Sequence, residues 1–188
     1  NRLYHNDGNN SFTEITSGSP VTDLYTSRSV NWTDMDSDGD LDLFVSNEGL
    51  TDNDENIYRN DSGTFTRINT GALVNNGGLT MSSSWGDYDN DGDLDVFLAN
   101  DQSSNALFRN EGNFTFTKIT GDTITNTNDH SFSSAWSDVD NDGDLDLFVT
   151  NTYNSALKQL NFFYLNNGDG SFERIGSSPL ATDSSWSY

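Results

Sequence analysis

The chain has no cysteine, two prolines, two histidines and only eight basic residues in 188. Each scarcity excludes something. Without cysteine no disulfide can staple the fold, whatever redox compartment it occupies. Eight Lys and Arg against thirty Asp and Glu give a formal charge of −22, which excludes nucleic acid and an anionic membrane surface as partners. Multivalent cations are the natural counterions. No apolar run approaches the roughly 18 residues of a membrane helix, and the N-terminus lacks the basic and apolar regions of a signal peptide. We therefore expect no membrane insertion, and a mature or excised chain. His5 and His130 stand in non-equivalent places and read as surface residues rather than zinc ligands or an acid–base pair. With neither a Ser/His/Asp signature nor a Gly-rich phosphate loop, the expectation is a chain that is not an enzyme.

No segment reads as an amphipathic helix. Sixteen glycines and many Asn, Asp, Ser and Thr suit short strands joined by turns. The most distinctive stretch is "DMDSDGDLDLFVSN", starting at Asp34. It recurs as "DYDNDGDLDVFLAN" from Asp87 and "DVDNDGDLDLFVTN" from Asp138, at steps of 53 and 51 residues. Each copy follows a tryptophan, Trp32, Trp85 and Trp136, and Trp186 in "SSWSY" comes 50 residues after the third. Between the acidic loops lie "NIYRNDSGTFTRI" (56–68), "NALFRNEGNFTFTKI" (105–119) and "NFFYLNNGDGSFERI" (161–175), each a strand, a turn of Asn, Asp, Glu or Gly, and a strand. "NRLYHNDGNNSFTEI" (1–15) repeats that hairpin with no acidic loop before it.

A unit of about 50 residues with four antiparallel strands matches one blade of a β-propeller. The second strand, with Leu41, Leu43, Phe44 and Val45, is apolar on both faces, as a blade between two neighbours requires. A β-sandwich and a solenoid fit less well. The fold expected is all-β, a propeller of four-stranded blades: 29–68, 82–119 and 133–175 as complete blades, 1–15 as the last two strands of a preceding one and 184–188 as the first strand of another. The ends do not coincide with blade ends. That suggests either a segment of a longer propeller or a protomer that completes its blades with other copies.

In the first loop, carboxylates stand at positions 1, 3, 5, 7 and 9 (Asp34, Asp36, Asp38, Asp40 and Asp42), with Gly39 at position 6. The alternate spacing lets a tight loop turn every second side chain toward one centre, and glycine permits the bend. Hard oxygen ligands in that number specify Ca²⁺. Position 7 (Asp40, Asp93, Asp144) is read as offering its backbone carbonyl with the side chain outward, and position 9 (Asp42, Asp95, Asp146) as anchoring the ion to the second strand. An EF-hand would need Glu at position 12, where Val45, Leu98 and Val149 stand. Close carboxylates also serve glycosidases, but a triplicated active site is implausible.

"DxDxDGDLDxF" after a Trp strand, with an "NxLYxNxGxGxFT" hairpin between loops, resembles the FG-GAP or VCBS repeats of integrin-α-like propellers, including bacterial secreted proteins of the ASPIC/UnbV type. The resemblance implies about three bound Ca²⁺ ions, mainly structural. It implies Asp34, Asp36, Asp38 and Asp42 as side-chain ligands and Asp40 through its carbonyl. The same roles fall to Asp87, Asp89, Asp91, Asp95 and Asp93, and to Asp138, Asp140, Asp142, Asp146 and Asp144. The N-terminal partial copy has no such loop, and at the C-terminal one Tyr188 stands where the first Asp is expected.

The tryptophans read as packing near the propeller axis rather than as a sugar-stacking platform. Tyr4, Tyr58, Phe108 and Tyr164 read as core between blades, and Asn6, Asn60, Asn110 and Asn166 as turn formers. Sequons at Asn9, Asn31, Asn60 and Asn113 are close to chance in so Asn- and Thr-rich a chain. Binding specificity is expected where the repeats differ, at 17–28, 47–56, 120–130 and 151–161. The function expected is a calcium-stabilised module of an extracellular, secreted or cell-surface protein, serving structure, adhesion or assembly. Its partner would be a protein or glycan ligand on a cell surface, or copies of itself. The alternatives are a lectin-like propeller and the non-catalytic part of a larger secreted enzyme.

Overall fold

A computed structural model describes residues 1–47, 55–126, 130–152, 159–177 and 179. Within them the elements with defined bounds are all strands except one helical turn, α1 (Ser19–Thr22). The first blade comprises β3 (Ser27–Thr33), β4 (Asp42–Asn47), β5 (Asn56–Asp61) and β6 (Thr64–Ile68), in that spatial order. The second comprises β7 (Thr80–Gly86), β8 (Asp95–Asn100), β9 (Ala106–Asn110) and β10 (Phe116–Ile119). The third comprises β11 (Ser131–Ser137), β12 (Asp146–Asn151), β13 (Phe162–Asn166) and β14 (Phe172–Arg174). All pairings are antiparallel between sequence neighbours, the arrangement of propeller blades. The hairpin β1 (Leu3–Gly8) and β2 (Ser11–Ile15) forms a sheet of its own. Residues 184–188, expected to begin a further blade, lie outside the described residues, as does Trp186.

The first strand of each blade starts two residues before the boundary read from sequence, at Ser27, Thr80 and Ser131. A register shift follows that residue each time, between Ser27 and Ser29, Thr80 and Ser82, and Ser131 and Ser133. A bulge breaks the period-2 pattern on which a sequence boundary depends.

The core lies between blades. Phe44 and Ile57 of the first blade pack with Val96, Leu98 and Phe108 of the second; Phe97 and Leu107 of the second pack with Leu147, Val149 and Tyr164 of the third. Alternate residues of β8 thus serve opposite neighbours, which is why that strand is apolar on both faces. Each interface is keyed by a tryptophan. Trp85 sits edge-on to Phe44 of the preceding blade (5.4 Å between ring centroids), and Trp136 edge-on to Phe97 (6.4 Å) and stacked on Tyr88 (6.3 Å). Gly86 makes room for this packing: a Cβ there would stand 2.9 Å from Leu145 Cδ1 and 3.0 Å from Trp136 Cδ1. Trp32 has Phe65 of its own blade as ring partner and is 46% exposed. Tyr4 departs from the core role read for it: Tyr58, Phe108 and Tyr164 are fully buried, whereas Tyr4 is 47% exposed, because β1 and β2 form a hairpin with no further strand paired to it among the described residues.

Strand direction sorts the connections. The acidic loops and the hairpin turns lie at one end of every blade. At the other, each blade's first strand begins, its second ends, its third begins and its fourth ends. His130 also sits at that second end and is not the simple surface residue expected. Its Nδ1 is hydrogen-bonded to Asp101, with which it forms an isolated bridge, and its N–H donates to Gln159 Oε1 at 2.8 Å.

Candidate metal centres

Each acidic loop leaves a first strand, turns through two left-handed residues and enters a second strand. Position 4 has φ of 60° at Ser37, 58° at Asn90 and 63° at Asn141. The glycine at position 6 has φ of 95° at Gly39, 98° at Gly92 and 99° at Gly143, a region costly for other residues. The position 1 carboxylate closes the turn by accepting two backbone N–H groups. For Asp34 these are Asp38 at 3.1 Å and Gly39 at 3.0 Å, and Asp87 and Asp138 repeat the pair.

The folding of the loop brings three carboxylates together. Asp34, Asp36 and Asp42 present oxygens within 4.8 Å of one another, as do Asp87, Asp89 and Asp95, and Asp138, Asp140 and Asp146. These are positions 1, 3 and 9. Oxygens bound to one calcium at about 2.4 Å can stand no more than about 4.8 Å apart, so the trios meet the geometric requirement. Position 5 is not brought into them: Asp38, Asp91 and Asp142 each accept the N–H of position 7, at 2.9 to 3.0 Å. Position 7 side chains point away from the trio. Asp40 accepts the N–H of Ser62 at 2.7 Å, Asp93 the hydroxyl of Ser37 at 3.2 Å and Asp144 the amide of Asn90 at 2.7 Å.

Position 9 is the most deeply set. Asp42, Asp95 and Asp146 are at most 2% exposed, and each accepts two backbone N–H groups, one from position 2 of its loop and one from the hairpin asparagine. Burial nevertheless raises the Asp42 carboxyl above its ordinary range and pushes Asp95 up to about 7, against the pull of the Asn110 and Tyr88 donors. Asp36, Asp89 and Asp140 are also raised, by desolvation first and then by the neighbouring position 5 charge. Asp36 Oδ1 and Asp89 Oδ1 are buried without a hydrogen-bond partner. A buried carboxylate oxygen lacking a donor is costly, and a hard cation among three such groups would remove the cost. The donor set fits a divalent cation, which when bound would supply the positive charge that holds these carboxylates ionised.

The hairpin asparagines were legible only in part. Their Oδ1 atoms close the turns as expected, accepting the N–H of Gly8, Gly63, Gly112 and Gly168. Their amide groups also donate to the acidic loops, Asn60 to Leu41 O, Asn110 to Leu94 O and Met35 O, and Asn166 to Leu145 O and Tyr88 O. Recurrence of Asn at one hairpin position was the available signal.

No curated protein matches the chain. The family model of the FG-GAP-like repeat does, at residues 1–45, 34–98, 87–149 and 138–188, so that the matches together run the whole length. With tryptophan-keyed blades and a triplicated carboxylate loop behind that match, the chain belongs to the FG-GAP-like repeat family.

Proposed function

We propose that the chain is a calcium-stabilised, non-catalytic interaction module of an extracellular protein, serving adhesion or assembly. The observation that carries this reading is the carboxylate trio, built three times from the same loop positions with an unpartnered buried oxygen in two of the copies. Asp34, Asp36 and Asp42 and their counterparts hold the ion, with the carbonyls of Asp40, Asp93 and Asp144, while the position 5 aspartates, which stand outside the trios, add the oxygen that does not accept the position 7 N–H. Millimolar calcium outside cells keeps even modest sites filled. Among the described residues no helix is long and apolar enough to cross a membrane. Partner recognition falls to the blade end opposite the metal loops, where the links of differing length and composition lie.

Calorimetric titration with calcium tests the reading. Three ions per chain are expected, together with a thermal midpoint at least about 10 °C lower in excess EDTA, since several kcal/mol of binding energy is coupled to folding. An unchanged midpoint and no heat of binding would exclude calcium as a structural element.

A further inference from the structure

The amides of two hairpin asparagines reach into the metal loop of the preceding blade. Asp42 Oδ2 accepts the N–H of Met35 at 2.9 Å, Met35 O accepts Asn110 Nδ2 at 3.1 Å, and the N–H of Asn110 donates to Asp95 Oδ1 at 2.8 Å. One loop residue and one asparagine therefore join a carboxylate of the first trio to a carboxylate of the second. The path continues into the third blade. Asp95 Oδ2 accepts the N–H of Tyr88 at 3.1 Å, Tyr88 O accepts Asn166 Nδ2 at 2.7 Å, and the N–H of Asn166 donates to Asp146 Oδ1 at 3.0 Å. Both asparagines and all three aspartates are buried, so water does not substitute for these bonds. At the same end of the blades, the position 4 side chains of Ser37 and Asn90 reach Asp93 and Asp144 of the next loop.

We propose that Asn110 and Asn166 are positioning residues that couple the metal sites of successive blades, so that filling one loop raises the affinity of the next. The proposal rests on the calcium reading above. Drawing Asp42 onto an ion fixes Met35, whose carbonyl then holds the Asn110 amide, and the N–H of Asn110 orients Asp95. Part of the ordering cost of the second loop is met when the first is filled, which is positive coupling without a large movement.

Calcium calorimetry on a thermodynamic cycle tests this. Asp36→Asn, Asp89→Asn and Asp140→Asn each disable one loop. The third is disabled throughout, and loops one and two are measured singly and together. The coupling factor is the two-ion constant divided by the product of the single-loop constants, and about fivefold or more is expected. In Asn110→Ala the factor falls to one while each loop alone still binds. A factor of one with Asn110 intact overturns the proposal, and so does a factor unchanged in Asn110→Ala. Should that variant not fold, hydrogen exchange on the chain carrying Asp89→Asn and Asp140→Asn decides, because calcium then fills only the first loop. Slower exchange at the Asn110 amide supports coupling, and unchanged exchange overturns it. Absence of calcium binding in every loop would overturn the calcium reading itself, a result separate from a coupling factor of one.

Discussion

Asp95 is buried against two backbone donors and two neighbouring carboxylates, and its proton equilibrium sets how the cation-free chain answers pH. Its folded-state carboxyl titrates near 7 while the unfolded one titrates in the ordinary range near 4, so between those values the folded chain holds the extra proton. Stability of the chelated protein is then greatest at low pH and falls as pH rises through 7. Asp36, Asp42, Asp89 and Asp140 are shifted the same way and reinforce it; the lowered Glu111 and Asp169 are exposed and weigh little. With calcium the order reverses, because protons compete with the ion. Thermal scans at pH 5 and 8 in EDTA and in calcium check this, and parallel trends in the two buffers would refute it. At this scale the sequence was most informative about positions 1, 3 and 9. Alternate spacing marks every second side chain as convergent. It does not reveal that position 5 is turned toward the N–H of position 7, because that bond spans the glycine at position 6 and is set by its left-handed backbone in the folded loop.

Strands packed between blades depend on both neighbours, and the tryptophans measure this. Trp85 and Trp136 are partly buried against aromatic rings of the preceding blade and of their own, so truncation removes a large packed group and leaves a gap between blades. Trp136→Ala should cost about 3–5 kcal/mol by urea denaturation in calcium, and Trp32→Ala, half-exposed, less than half as much. Equal losses would mean that Trp32 is covered in solution by something other than the residues described. Strand existence and order were readable from apolar runs and Asn/Gly turns. The bulge after Ser27, Thr80 and Ser131 was not, since serine and threonine carry no signal for it. Nor did the sequence show why glycine stands at position 86 where Thr33 and Ser137 are its counterparts: a Cβ at Gly86 would press on Leu145 and Trp136 of the next blade.

The three blades form a row, the second and third each bonded to the one before by the same pieces at the same positions, which is why the architecture was so legible from a repeat of 51 to 53 residues. Removing one full period, residues 87–137, joins Gly86 to Asp138 and leaves a first strand of the second blade feeding the loop of the third. We expect that shortened chain to fold and to bind one calcium fewer, whereas a deletion of half a period should not fold; circular dichroism and calorimetry distinguish the two. The path of the chain through each blade has a mechanical corollary. It enters at the edge strand β3 and leaves at the opposite edge strand β6, at the same end of the sheet. Tension along the polypeptide therefore peels the hydrogen-bond ladder one rung at a time instead of shearing it all at once, and the tear travels toward the acidic loop at the far end. A stretched array of such blades would yield in steps of about 50 residues, some 170 Å of extended chain each. If the loops hold calcium as proposed, the ion clamp would be the last element of each blade to let go, and the concentration of that ion would set the load at which the final rungs part.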